Sequence, residues 1–175
     1  MSVIQARILT VSDRCSRGEA TDTAGPAVAS QLRQTMRASI ESVVCVPDEH
    51  QEIARTLRTW AAEEPALDLI LTVGGTGLAP RDVTPEATRA VLDRPHPGIV
   101  ELMRARCGER HPRAYLSRAV AGTIGQTLVV NLPGSERAAV ESLDAIMDIL
   151  PHALGVLSGR DRDCGAQPAT RGGAP

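Results

Sequence analysis

Apolar residues along the chain follow two repeating patterns. Three runs of strand length, Ala6 to Ser12, Ile40 to Val46 and Leu67 to Val73, are separated by segments whose apolar positions recur at helical spacing. Leu67, Leu69, Ile70, Leu71 and Val73 make a nearly unbroken apolar string, the pattern of a parallel strand covered on both faces. Between the runs, Val28, Leu32 and Met36 recur at four-residue steps, and Ile53, Leu57, Trp60 and Ala61 give a second helix one apolar face. This order predicts a βαβαβ unit.

In the second half, Thr84-Pro85-Glu86 supplies a cap residue, a proline for the first helical position and an acid for the first turn, which predicts a helix from Pro85. Ile99, Leu102 and Met103 mark a short helix over 99–106. The runs 119–124 and 127–132 flank Gly125-Gln126, a link suited to a type II′ hairpin, so the last strand gains an antiparallel neighbour. Ser135 caps a final helix carrying Ala139, Leu143, Ile146 and Leu150, which Pro151 breaks or kinks. The expected fold is α/β: three αβα layers around a mostly parallel sheet with an antiparallel edge hairpin. One domain is expected over residues 1–158. Residues 159–175, rich in Gly, Asp, Arg, Pro and Ala, read as a disordered tail.

Composition narrows the function classes. The net charge is -2, there is one Tyr, one Trp and no Phe, so neither a basic footprint nor stacking platforms exist for nucleic acid. All 19 cations are arginine, which excludes lysine nucleophiles and Schiff bases. No run approaches the roughly 20 apolar residues of a membrane span, and Met1 to Arg7 does not read as a secretory signal, so a cytosolic location is expected. Cys15, Cys45, Cys107 and Cys164 form no C-x-x-C pair, and the four histidines show no ligand spacing.

The polar residues cluster where strands end. The runs lead into Ser12-Asp13-Arg14, Pro47-Asp48-Glu49, Gly74-Gly75-Thr76-Gly77 and Pro133-Gly134-Ser135, and in a parallel sheet those ends share one rim where ligands bind. The glycine cluster is either a tight turn or a nest of backbone N–H groups for phosphate; it is neither a Walker loop nor a dinucleotide fingerprint. Asp48 matches the D-x-x-Q form of a capping box with Gln51, so it is either a cap or a reacting carboxylate. Asp82 lies outside the cap at Thr84, which leaves it as a turn residue or a magnesium ligand beside Arg81. Ser12 and Asp13 fit a turn and Ser135 fits an N-cap, a role compatible with anion binding. Arg14, Arg81 and Arg118 suit salt bridges singly and phosphate as a cluster.

Together these strings, with Leu69 to Gly77, Arg81-Asp82-Val83-Thr84-Pro85-Glu86, Leu116-Ser117-Arg118 and Asn131-Leu132-Pro133-Gly134-Ser135, closely resemble the molybdopterin adenylyltransferase family, the bacterial MogA/MoaB proteins and the G domain of gephyrin. The resemblance implies an enzyme that joins molybdopterin and Mg-ATP into adenylyl-molybdopterin and pyrophosphate. It also implies a homotrimer, with a hexamer as the alternative, serving other molybdenum cofactor assembly enzymes. Carried over by position, Asp48 and Asp82 are the catalytic and Mg²⁺-binding acids. Gly74, Gly75, Thr76, Gly77 and Arg81 hold nucleotide phosphate, while Ser12, Asp13, Ser117, Pro133, Gly134 and Ser135 line the molybdopterin side. The competing expectation is a non-catalytic molybdopterin-binding protein of the MoaB type. It draws on a departure from the resemblance, the absence of Arg or Lys in Gly122 to Gln126.

Overall fold

Strands β1 (Ile4–Val11), β2 (Ala38–Val46), β3 (Leu69–Val73), β4 (Arg94–Pro95), β5 (Ala121–Ile124) and β6 (Thr127–Leu132) form one sheet in a computed structural model that describes residues 3–160. Their order is β2-β1-β3-β6-β5-β4. The first four run parallel, and β5 returns antiparallel to β6 through the expected hairpin, where Gly125 has the positive φ of 56° that its turn position requires. β4 adds a short antiparallel edge that the apolar pattern did not signal.

Around the sheet lie α1 (Asp13–Ser16), α2 (Ala24–Met36), α3 (His50–Ala61), α4 (Thr84–Arg89), α5 (Pro97–Gly108), α6 (Glu136–Asp144) and α7 (Leu150–Leu157), with a 3-10 turn over Pro112–Leu116. Every residue of β3 and β6 is buried, because alternate side chains enter opposite cores. Leu69, Leu71, Val130 and Leu132 pack with Val28 and Leu32 of α2, Met103 of α5 and Leu143 of α6. Leu9, Ile70 and Val129 pack on the other face with Ile53, Leu57 and Trp60 of α3 and Ala87 of α4. The three expected layers are present, and no helix among the described residues is long and apolar enough to cross a membrane.

Main-chain pairing continues past the strand ends and ties the functional turns together. Ser12 N donates to Val46 O at 2.9 Å, and Gly74 N donates to Leu132 O at 3.1 Å. Gly74 has φ 110°, and a side chain there would strike the carbonyl of Val11, so glycine permits this close approach. The fully buried Asn131 donates to Thr72 Oγ1 at 2.8 Å and Thr88 Oγ1 at 2.9 Å and accepts from Val120 N, which anchors the 131–135 turn from inside.

Local details correct the cap assignments. Val83 occupies the N-cap of α4, with Thr84 the first helical residue and Pro85 the second. The Thr84 hydroxyl is buried against Gly75 and has no hydrogen-bond partner, so it does not cap. Glu49, not Asp48, is the N-cap of α3, and no side-chain cap bond forms there, because the Asp48 carboxylate is taken by Asp13 N. The last helix is interrupted before Pro151, at residues 145–149, and Pro151 sits in the first turn of α7, where its missing N–H costs nothing. Arg160, inside the expected tail, donates to Asp68 Oδ1 at 2.7 Å; residues 161–175, with Cys164, lie outside the described residues.

Candidate active site

At the carboxyl end of β1, Ser12 caps the short α1, its Oγ accepting from Cys15 N at 3.3 Å. Asp13 follows, and its carboxylate is held by both Arg81 Nε at 3.0 Å and Arg81 Nη2 at 2.9 Å. This pairing with Arg81 holds the Asp13 carboxyl below its ordinary pKa. Arg81 also bonds Glu49 at 2.8 Å, and its two carboxylate partners raise its own pKa. Asp48, at the end of β2, is half-buried. Burial pushes its pKa up, an effect opposed by the bond from Asp13 N and reinforced by the charges of Asp13 and Asp82.

The loop after β3 carries the glycine cluster. Gly75 has φ 61°, and a side chain there would collide with Thr84 Oγ1 and come within 2.9 Å of Asp48 Oδ1. Among the described residues, the N–H groups of Gly75, Thr76, Gly77 and Leu78 donate to no protein acceptor, which leaves four successive donors for an anion. Asp82 closes the loop, its Oδ2 accepting from Ala79 N at 2.8 Å.

Two cavities meet at this loop. The smaller, about 280 Å³, is lined by Ser12, Asp48, Gly74 and Asp22. The larger, about 580 Å³, is lined by Gly77, Ser117, Pro133 and Ser135, with Met103 and Leu116 adding apolar wall. Gly75, Asp82 and Gly134 line both, so the two acids singled out in the sequence do face one joined crevice. Ser12 lines the smaller cavity and Ser117 and Pro133 the larger, although the resemblance groups them on one side. Asp13 and Arg81 line neither cavity and are engaged with each other. Arg14 is exposed and lines neither cavity; its carbonyl accepts from Glu19 N and Ala20 N. Ser135 Oγ accepts from Ala138 N at 3.4 Å, so the residue is both the cap of α6 and part of the cavity wall.

Several lining residues were not singled out from sequence. Asp22 accepts from Thr10 Oγ1 at 2.7 Å and from Gly25 N at 3.0 Å, and Thr21-Asp22-Thr23 before α2 is a cap signal that would have found it. Arg113 and Arg137 bring cations to the larger cavity from the 3-10 turn and α6, and His111 brings an imidazole from the loop between α5 and that turn. Nothing local in the sequence marks these residues, and Gly122 to Gln126 lies at the opposite end of β6, lining neither cavity.

No group of three or more His, Cys, Asp or Glu side chains able to hold a metal exists among the described residues. Asp48 and Asp82 nevertheless fit Mg²⁺. Each spends one carboxylate oxygen on a backbone donor and keeps the other without a protein donor among the described residues, and Asp48 bears the cost of a partly buried charge beside another acid. Magnesium is commonly held by one or two carboxylates, with phosphate and water completing the shell.

The family model described as "Probable molybdopterin binding domain" matches residues 7–152. Molybdenum cofactor synthesis protein cinnamon of Drosophila melanogaster is 41% identical over 154 residues, 88% of this chain and 26% of its own length. The chain thus spans about a quarter of that relative. Molybdopterin adenylyltransferase of Helicobacter pylori strain J99 is 36% identical over 160 residues, 91% of this chain and 90% of that protein. The crystal structure of the molybdopterin biosynthesis enzyme MoaB from Thermus thermophilus matches with a TM-score of 0.84 at 51% identity, covering 90% of this chain and 98% of that one. The match extends over every strand-end turn that builds the crevice, and the chain belongs to this molybdopterin-binding domain family of molybdenum cofactor biosynthesis.

Proposed function

We propose that the protein is an adenylyltransferase that transfers AMP from Mg-ATP to molybdopterin and releases pyrophosphate. The observation that carries this reading is the pair of cavities joined at Gly75, Asp82 and Gly134, with Asp48 in one, Ser117 and Ser135 in the other, and the four unpaired N–H groups at their junction. The larger, more apolar cavity suits the pterin, and the smaller one the nucleoside, with Asp22 at hand for hydroxyl groups.

In the reaction, an oxygen of molybdopterin's terminal phosphate forms a bond to the α-phosphorus of ATP, and the bond from that phosphorus to the pyrophosphate oxygen breaks. A phosphomonoester is mostly dianionic at neutral pH, its second pKa being about 6, so no general base is needed. The protein's task is to position and neutralise two polyanions. The N–H groups of Gly75 to Leu78 bind phosphate oxygens, and Asp48 and Asp82 would hold Mg²⁺. When bound, that ion supplies charge neutralisation on the triphosphate and the departing pyrophosphate. Arg113, whose side chain has no hydrogen bond or ion pair among the described residues, adds positive charge at the mouth of the larger cavity.

A homotrimer, residence in the cytosol and delivery of the product to other cofactor assembly enzymes belong to the same proposal. The test is incubation with molybdopterin, ATP and Mg²⁺. Formation of adenylyl-molybdopterin with stoichiometric pyrophosphate is expected. Tight molybdopterin binding without Mg-ATP binding by calorimetry would favour the carrier role instead. Light scattering of the purified protein checks the trimer.

A further inference from the structure

Arg118 lines neither cavity, yet it grips three points of the loop between them. Its backbone N–H donates to Thr76 O at 2.8 Å, its Nε donates to Gly77 O at 2.6 Å, and its Nη2 donates to Asp82 O. The remaining Nη1 pairs with Glu86. One guanidinium therefore clasps both ends of the 77–82 loop, whose interior is closed by Asp82 N to Ala79 O at 2.9 Å. A rigid planar fork with five donors can do this; an ammonium group cannot hold separated carbonyls in one plane. Arg118 is itself fixed from behind, because Arg104 donates to Ser117 O at 2.9 Å and to Ala119 O at 2.6 Å on either side of it.

In a planar trans peptide the C=O and N–H bonds point in opposite directions. Turning the carbonyls of Thr76 and Gly77 toward Arg118 directs the N–H groups of Gly77 and Leu78 away from it, and these are two of the four unpaired donors. The geometry points to Arg118 as a positioning residue that sets the phosphate-facing donors of the glycine loop and the placement of Asp82. This rests on the loop being the nucleotide phosphate site. Arg118 acts on phosphate through the backbone, from outside both cavities.

The test compares Arg118→Lys and Arg118→Met with Glu86→Gln, using Mg-ATP and inorganic pyrophosphate as calorimetric probes alongside turnover and thermal melting. Glu86→Gln weakens the ion pair but keeps the three bonds to Thr76, Gly77 and Asp82. Both Arg118 variants should bind each probe about tenfold or more weakly, the scale of one lost hydrogen bond to a charged group. Turnover should fall about a hundredfold, the cost of an ångström-scale misplacement, while molybdopterin affinity stays near native. Glu86→Gln should bind and turn over within about twofold of native protein. Arg118→Lys keeps the positive charge beside Glu86 and provides the readout if Arg118→Met fails to fold. Native affinity for Mg-ATP and pyrophosphate in a folded Arg118 variant overturns the proposal, as does an equal loss in Glu86→Gln, which would make Arg118 a stabilising ion-pair partner only. If native protein binds Mg-ATP but makes no adenylyl-molybdopterin, the adenylylation reading fails, and the binding arm still decides the role of Arg118.

Discussion

Asp13 and Asp48 hold each other by crossed bonds: Asp13 N donates to Asp48 Oδ2 at 2.8 Å, and Asp48 N donates to Asp13 Oδ1 at 3.1 Å. The exchange locks the turns after β1 and β2 together and orients the Asp48 carboxylate with a backbone donor. Arg81 neutralises Asp13. The other oxygen of the half-buried Asp48 lies beside Gly75 with no protein donor among the described residues, and it is the one the proposed Mg²⁺ would take.

Asp48→Asn should separate activity from stability. Burial raises the Asp48 pKa above its ordinary value, so the ionised form is disfavoured by folding and loss of the charge does not weaken the fold. Asparagine retains an oxygen for Asp13 N. The expected outcome is a melting temperature no lower than native with turnover reduced about a hundredfold or more. A lowered melting temperature with near-native turnover would return Asp48 to a structural role.

Asp82→Asn should abolish measurable pyrophosphate release while keeping the loop, because an amide oxygen still accepts from Ala79 N and the backbone bond to Arg118 is untouched. Asp82→Ala also removes the acceptor and should cost about 1 kcal/mol of stability in addition. Paired denaturant melts and single-turnover assays distinguish the two variants. Turnover by Asp82→Asn within a few-fold of native would remove this carboxylate from the reaction.

Gly75→Ala combines a strained positive φ with a collision. Its Cβ meets Thr84 Oγ1 and crowds Asp48 Oδ1, so a loss of about 1–3 kcal/mol is expected together with weaker Mg-ATP binding. Gly125→Ala serves as a control. It carries a positive φ in open space, and should lose stability but keep Mg-ATP affinity.

Arg81→Met tests the Asp13 pair through pH. The folded Asp13 pKa lies below the unfolded value of about 3.9, so the pair stabilises the protein above that pH and its contribution disappears as pH falls through the lower folded value. The stability difference between native protein and Arg81→Met should be constant from neutral pH down to about 5 and shrink below about 4. A difference that instead grows on acidification would contradict this linkage.

Much of the architecture was legible because helical and strand periodicities are local. The runs ending at Ser12, Val46 and Val73 became parallel neighbours, and the apolar string of β3 correctly indicated cover on both faces. The caps were less legible. A carboxylate at Asp48 satisfies the spacing of a capping box whether or not another donor competes for it, and the winning donor, Asp13 N, is 35 residues away. Likewise, Thr84 looks like a cap until packing against Gly75 buries its hydroxyl.

By itself, the order of apolar runs, glycines and acids determined a mostly parallel three-layer sheet with polar turns at one rim, since strand and helix periods and chain connectivity suffice to orient those ends. Only the tertiary structure decided which turns share a crevice, that Asp13 and Arg81 engage each other, and that Arg118 stands behind the glycine loop. Those outcomes depend on competition among donors and acceptors far apart in the chain, as in the 68-residue separation of Arg81 from Asp13, and a local pattern holds no record of who wins.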